Sequence, residues 1–172
     1  VQFYMNNLVY GWKFWEIFLL SKSEIKLKIE VSRIYPVSQH VITPEIESIL
    51  LGKNFASFAT LMKDGSPHVA PTWIDYDGQF ILINTAKGRV KEKNVQDDNR
   101  VALSVYDNSN PYNMITIRGT VEEITEENAD LHIDKLAKRY FGYDKYPRQS
   151  PNEKRIILKI KPEHVFHQKP ST

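Results

Sequence analysis

Residues 64–91 read DGSPHVAPTWIDYDGQFILINTAKGRVK, and the reading of this stretch decides the fold. Asp64-Gly65-Ser66 is a turn, because Gly adopts a left-handed backbone at no steric cost and Asp and Ser bond their own backbone. Pro67 to Tyr76 then reads as extended chain, with Pro67 and Pro71 limiting its ladder bonding. Asp77-Gly78 is a two-residue hairpin signal, and Gln79 to Thr85 is the returning strand. Residues 88–98 are polar and read as a short helix entered through Gly88.

The pattern extends in both directions. Upstream, Phe55 to Met62 is an apolar strand that closes on the turn at 63–66. Before it, Thr43-Pro44-Glu45 supplies an N-cap, a proline at the first helical position and an acid in the first turn. That helix runs to Leu51 and stops at Gly52. Downstream, Val101 to Tyr106, Met114 to Ile124 and Ile156 to Phe166 read as strands. Residues 126–140 form an amphipathic helix with Ala129, Ile133, Leu136, Ala137 and Tyr140 on one stripe. Its acids come early and its bases late, as the helix dipole favours, and Gly142 ends it. Six strands at hairpin spacing with helices between them predict a mainly β, α+β domain built as an antiparallel barrel, closed or partly closed, over residues 43–172.

Residues 1–42 read as an extension. It holds a possible strand in which Ile25, Leu27, Ile29 and Val31 alternate with polar residues. Residues 3–20 carry seven of the twenty aromatics of the chain. Asn6, Asn7, Lys13 and Glu16 interrupt that stretch, so a packing arm is expected rather than a membrane span or a secretion signal.

The chain has 172 residues, no cysteine and a formal net charge of +2. The lack of cysteine excludes disulfides, thiolate metal sites and a cysteine nucleophile, and suits a reducing cytosol. The five histidines share no metal-ligand spacing, and no metal is expected. The modest net charge conceals a local cluster, since residues 87–93 hold four bases and one acid. A chain that leaves a strand, passes a glycine and enters a helix offers free N–H groups and a positive dipole end to an anion. Arg89 adds a planar fork, Lys87 and Lys91 add point charges, and Thr85 adds a hydroxyl. A solvated basic loop has the same composition, and the GxxxxGK[ST] phosphate loop is absent.

In order and spacing, Asp64-Gly65-Ser66-Pro67-His68, Pro71-Thr72-Trp73, Asp77-Gly78 and Thr85-Ala86-Lys87-Gly88-Arg89-Val90-Lys91 resemble the pyridoxamine 5′-phosphate oxidase-like split β-barrel superfamily. Asn99-Arg100-Val101-Ala102-Leu103, Asn110-Pro111-Tyr112 and Ile117-Arg118-Gly119-Thr120-Val121 extend the match. Lys138-Arg139-Tyr140-Phe141-Gly142 and Tyr146-Pro147 are most similar to its deazaflavin-dependent oxidoreductase branch. The resemblance covers about residues 43–166.

It implies a homodimer of six-stranded split barrels with a flavin-type cofactor, FMN or the deazaflavin coenzyme F-420, in a groove at the interface. Thr85 and Lys91 match the family's phosphate-binding residues. Lys87 and Arg89 match basic positions of the deazaflavin branch, with Ala86 between them and the strand. Pro71, Thr72 and Trp73 match the strand that lines the ring, and Tyr112 belongs to a segment that nears the partner's site.

The chain departs from pyridoxamine oxidase itself. Ala70 and Asp75 stand where that enzyme has a basic pair, and its C-terminal Trp/Arg signature is missing. The expected function is a cytoplasmic oxidoreductase that moves a hydride to or from a small organic substrate. No acid–base pair stands out, which fits a cofactor that carries the chemistry. A non-catalytic flavin carrier on the same barrel is the alternative. A nucleic-acid-binding barrel is a more distant one, because a single basic loop is not a tracking groove.

Overall fold

A computed structural model gives the fold of residues 42–147 and 152–170. The chain divides into two units, Val1–Val37 and Ser38–Thr172. All the described residues belong to the second. The aromatic stretch and the strand expected within residues 1–42 lie outside the described residues.

The elements are α1 (Pro44–Leu51), β1 (Ala56–Leu61), β2 (Pro67–Thr72), β3 (Asp75–Tyr76), β4 (Ile81–Ala86), α2 (Val90–Asp97), β5 (Arg100–Asp107), β6 (Asn110–Thr125), α3 (Ala129–Phe141) and β7 (Arg155–Gln168). Thr43 caps α1 through its side chain, which accepts from the Ile46 N–H. Gly142 ends α3 in the left-handed region at φ 80°. Gly52 follows α1 with an extended backbone, and it is there for space. A Cβ at this position would come within 2.7 Å of the Asn54 side chain.

All seven strands form one antiparallel sheet in the order β2-β1-β5-β6-β7-β4-β3. Six strands were expected and seven are found, because the single strand expected at 67–76 is two. Residues 67–72 pair with β1, while Asp75 and Tyr76 pair with Leu82 and Ile81 of β4. The two edges of the sheet are therefore consecutive in the chain, separated only by Trp73 and Ile74. One segment serves both edges, which draws the sheet round into a split barrel. Its interior holds Phe58, Ile81, Ile83, Leu103, Ile115, Ile117, Ile156, Leu158 and Ile160.

The long pair β6 and β7 bends through register shifts at Arg118/Gly119 and Val121/Glu123. Bulges of this kind add local twist and let strands wrap. Gly119 sits at one of them. A Cβ there would lie 2.0 Å from the Lys161 carbonyl oxygen, so only glycine lets the two backbones approach this closely.

The crossing at Trp73–Ile74 leaves backbone groups outside the ladder, and helix α3 supplies partners for those of Ile74. The Ile74 N–H donates to the Tyr140 hydroxyl at 3.2 Å, and its carbonyl accepts from Arg139 Nη1 at 3.2 Å. The Tyr140 hydroxyl in turn donates to the Asn54 carbonyl at 2.6 Å. Beside them, Asp75 is wholly buried. Its carboxylate accepts from Lys135 Nζ and Arg139 Nη2, each at 2.6 Å, and lies 3.3 Å from His132 Nε2. Burial alone would push this carboxyl up. His132, Lys135 and Arg139 outweigh it and hold it well below the usual carboxylate range.

Removing one member of a buried charge cluster strands the others, at a cost of about 3–5 kcal/mol. Asp75→Asn should lower stability by that order in denaturant melts. The sign of the pH dependence follows from the depressed folded-state value. The stabilisation is complete above the ordinary carboxylate pKa of about 4, and it fades as pH falls through the lower value of the folded chain. The acid limb of a stability-against-pH curve should therefore be shallower in Asp75→Asn than in the wild-type protein.

Candidate functional site

The basic turn is built by the end of β4 and the start of α2. Along β4, Ile81 and Ile83 face the barrel interior, and Thr85 follows them on that face. Asn84 faces α3, where its Nδ2 donates to the Ala129 carbonyl at 2.8 Å. Ala86 ends the strand, buried opposite Arg155 of β7. Gly88 takes φ 81°, which turns the chain into α2 with Arg89 as N-cap. Helix α2 packs on both β1 and β4, which stand apart in the sheet. It is anchored by buried Val95 and by Asn94, whose Nδ2 donates to Thr60 Oγ1 at 2.9 Å.

Within this turn the expected residues have different environments. Thr85 is buried, and its Oγ1 has no hydrogen-bond partner among the described residues. Lys91 is half-buried, and no described carboxylate pairs with it. Burial pushes its ammonium below the ordinary value, and the nearby Arg89 charge adds to the effect. Lys87 and Arg89 are exposed but already paired. Lys87 forms an ion pair with Glu126, which also meets Lys154 Nζ at 3.3 Å. Arg89 Nη2 donates to Glu153 Oε2 at 2.9 Å. The helix start is also less open than its sequence suggests. Glu92 reaches back to accept from the Gly88 N–H at 3.1 Å, which leaves the N–H groups of Val90 and Lys91 as those without an acceptor inside the helix.

Pro71 and Thr72 end β2, and Trp73 follows them in the crossing. Trp73 stacks on Tyr140 with ring centroids 5.2 Å apart and meets Phe141 and Tyr146 edge-on. The β3–β4 register, if continued, would set Trp73 against Asn84 and Thr72 against Thr85. Pairing stops at Asp75, so the strands part at that level. Side chains link the two regions: Trp73 meets Tyr146, Arg155 lies over the Tyr146 ring, and Glu153 beside Arg155 accepts from Arg89.

Tyr112 bonds to none of them, and its N–H donates to Asn110 Oδ1 at 3.1 Å. It lies at the start of β6, next to Met114, which pairs with Gln168 at the far end of β7 from Arg155. Thr72, Ala56, Val105 and Ile115 share one row across β2, β1, β5 and β6, so Tyr112 lies toward the Trp73 end of that part of the sheet. Its side chain is 72% exposed, so it is free to meet another copy.

Sequence reading missed Glu153 and Arg155. Glu153 touches Arg89 with one oxygen and lies 2.7 Å from Arg155 Nη2 with the other. The Arg155 side chain is buried and sits over the Tyr146 ring at 4.6 Å. The available signal was the charged run Asn152-Glu153-Lys154-Arg155 just before the last strand, whose pairing with β4 sets it beside Ala86 and Lys87.

Residues 42–169 match the family model described as pyridoxamine 5′-phosphate oxidase. The chain belongs to the pyridoxamine 5′-phosphate oxidase family. Among solved structures, an F420 reductase is 30% identical, with a TM-score of 0.62 over 70% of this chain and 94% of its own. A conserved hypothetical protein from Mycobacterium tuberculosis is 23% identical, with a TM-score of 0.60 over 77% of this chain and 91% of its own. General stress protein 26 from Bacillus anthracis is 17% identical, with a TM-score of 0.54 over 74% and 93%. These last two are similar in fold. No curated protein matches the chain. None of the described helices is long and apolar enough to cross a membrane.

Membership of the family makes the Thr85 hydroxyl informative. A buried hydroxyl without a partner is costly, by about 1–3 kcal/mol, and an isosteric methyl removes that cost. Thr85→Val should therefore stabilise the ligand-free protein by about 1 kcal/mol or more, read from the urea midpoint. A loss of stability would show that the hydroxyl already has a partner.

Proposed function

We propose that the chain is an oxidoreductase that binds a flavin-type cofactor, FMN or the deazaflavin, at the split of the barrel and transfers a hydride to or from a small organic substrate. The observation that carries this reading is the pairing of two uncommitted donors, the Thr85 hydroxyl and the Lys91 ammonium, on one strand-to-helix turn beside the parting strands. Both donors fit a phosphate. The Thr85 hydroxyl supplies a neutral hydrogen bond, and Lys91 supplies a cation whose burial strengthens its attraction to an anion. The N–H groups of Val90 and Lys91 add the positive end of α2. Lys87 and Arg89 flank the position, and Ala86 keeps the strand end free of bulk. Pro71, Thr72 and Trp73 line the ring, with Trp73 held in place by the Tyr140 stack.

Once bound, the cofactor supplies the hydride chemistry. The residues of the chain orient it and keep water from one of its faces. A homodimer belongs to the same reading, with the exposed Tyr112 near the start of β6 offered to a partner's site. The F420 reductase among the similar structures favours testing the deazaflavin beside FMN.

Titration of the purified protein with each cofactor, followed by fluorescence, tests the reading. One of the two should bind, and its counterpart without the phosphate should bind at least tenfold more weakly. A charge-assisted contact contributes about 1.5–3 kcal/mol. Lys91→Gln should therefore weaken binding roughly 10- to 100-fold without altering the far-UV spectrum. If neither cofactor binds, the reading fails. If one binds but its reduced form is never oxidised by a panel of acceptors, the protein is a carrier rather than an enzyme.

A further inference from the structure

The carboxylates around the turn form a pattern of their own. Glu153 stands between two guanidinium groups, with Oε2 2.9 Å from Arg89 Nη2 and Oε1 2.7 Å from Arg155 Nη2. These two arginines are not equivalent. The Arg155 side chain is 2% exposed and fixed against Tyr146, whereas that of Arg89 is 48% exposed. The Arg155 Nε has no partner among the described residues, and its Nη2 meets Glu153 off the hydrogen-bonding direction. Arg155 therefore depends on Glu153 for its countercharge. Arg89 can leave Glu153 for another anion, but Arg155 cannot follow it.

We propose that Glu153 is a specificity-determining residue of this site. It is a built-in anion, tied down by Arg155, that competes with an incoming phosphate for Arg89 and so sets how much negative charge the turn accepts. This rests on the reading that the turn binds a phosphate. With Glu153 in place, Arg89 remains committed unless it exchanges one anion for another, and Lys91 carries the recognition. With a neutral amide at 153, Arg89 is released to the ligand, while the amide oxygen can still face Arg155.

The test compares FMN with riboflavin, the same ring and ribityl chain without the phosphate. If the wild-type protein takes the deazaflavin instead, that cofactor is compared with its own phosphate-free form. Glu153→Gln should tighten FMN binding about 5- to 20-fold, leave riboflavin binding unchanged, and make FMN affinity fall more steeply with added salt. In an Arg89→Gln background the same change should have no effect on FMN, which isolates the coupling between the two side chains. Glu153→Asp, too short to span both guanidinium groups, should shift FMN affinity in the same direction by a smaller factor, and it carries the test if Glu153→Gln does not fold. FMN binding that is unchanged or weaker in the 153 variants, with wild-type FMN still preferred over riboflavin, overturns this proposal alone. Wild-type protein that binds FMN no better than riboflavin overturns the phosphate reading, and this proposal with it.

Discussion

The architecture depends on one short crossing. Residues 67–76 begin as a strand on one edge of the sheet and end as a strand on the other, and the two residues between them have no ladder partners. A backbone that leaves a sheet inside a protein must find substitute hydrogen bonds or lose free energy for each unpaired group. Here the substitutes come from one helix. Tyr140 takes the Ile74 N–H, Arg139 takes the Ile74 carbonyl, and the next residue, Asp75, is clamped by Lys135 and Arg139. If α3 released the crossing, the two edges would lose what keeps them together. The split would then lose the geometry that places Trp73 near the basic turn.

The clamp also explains why α3 is patterned as it is. His132, Lys135 and Arg139 stand three and four residues apart, so they share one helix face. Tyr140 adds its ring to Trp73 and its hydroxyl to the crossing. The late bases of this helix suit its dipole, as the sequence suggests. Lys135 and Arg139 nonetheless have a stronger reason to be there, in a buried carboxylate on a distant strand. The departure from pyridoxamine oxidase noted at Asp75 is thus a structural substitution. The residue faces α3 and is consumed by it.

Much of this was legible in the residues because its causes are local. Asp64-Gly65 and Asp77-Gly78 place turns through backbone preference, Thr43-Pro44 starts a helix, and apolar alternation marks the strands. The break at Trp73–Ile74 was not legible. Extended residues look alike whichever neighbour they pair with, and pairing is decided by parts of the chain far away. The candidate site divides on the same line. The basic turn could be read as a sequence motif, since its cations are adjacent. Their carboxylate partners could not, because Glu126 and Glu153 arrive from the segments that lead into α3 and β7, and only the fold sets them beside Lys87 and Arg89.

Those partners alter what the cluster means electrostatically. Four bases within seven residues suggest a patch of free positive potential, the property that attracts extended polyanions from a distance. Two of the four, Lys87 and Arg89, are already answered by carboxylates, and Glu92 occupies the N–H of Gly88. What remains is the half-buried ammonium of Lys91, the exposed Lys93 and a helix start. Such a site gains little long-range attraction. Its discrimination comes from desolvation, because a partly buried ammonium is relieved by one compact anion that fits and not by a diffuse one that stays hydrated. A polyanion laid along the surface would need a row of uncommitted cations, and the fold spends two of these four on its own carboxylates. A single compact phosphate needs only a hydroxyl, one ammonium and two N–H groups, and the turn leaves such a set uncommitted.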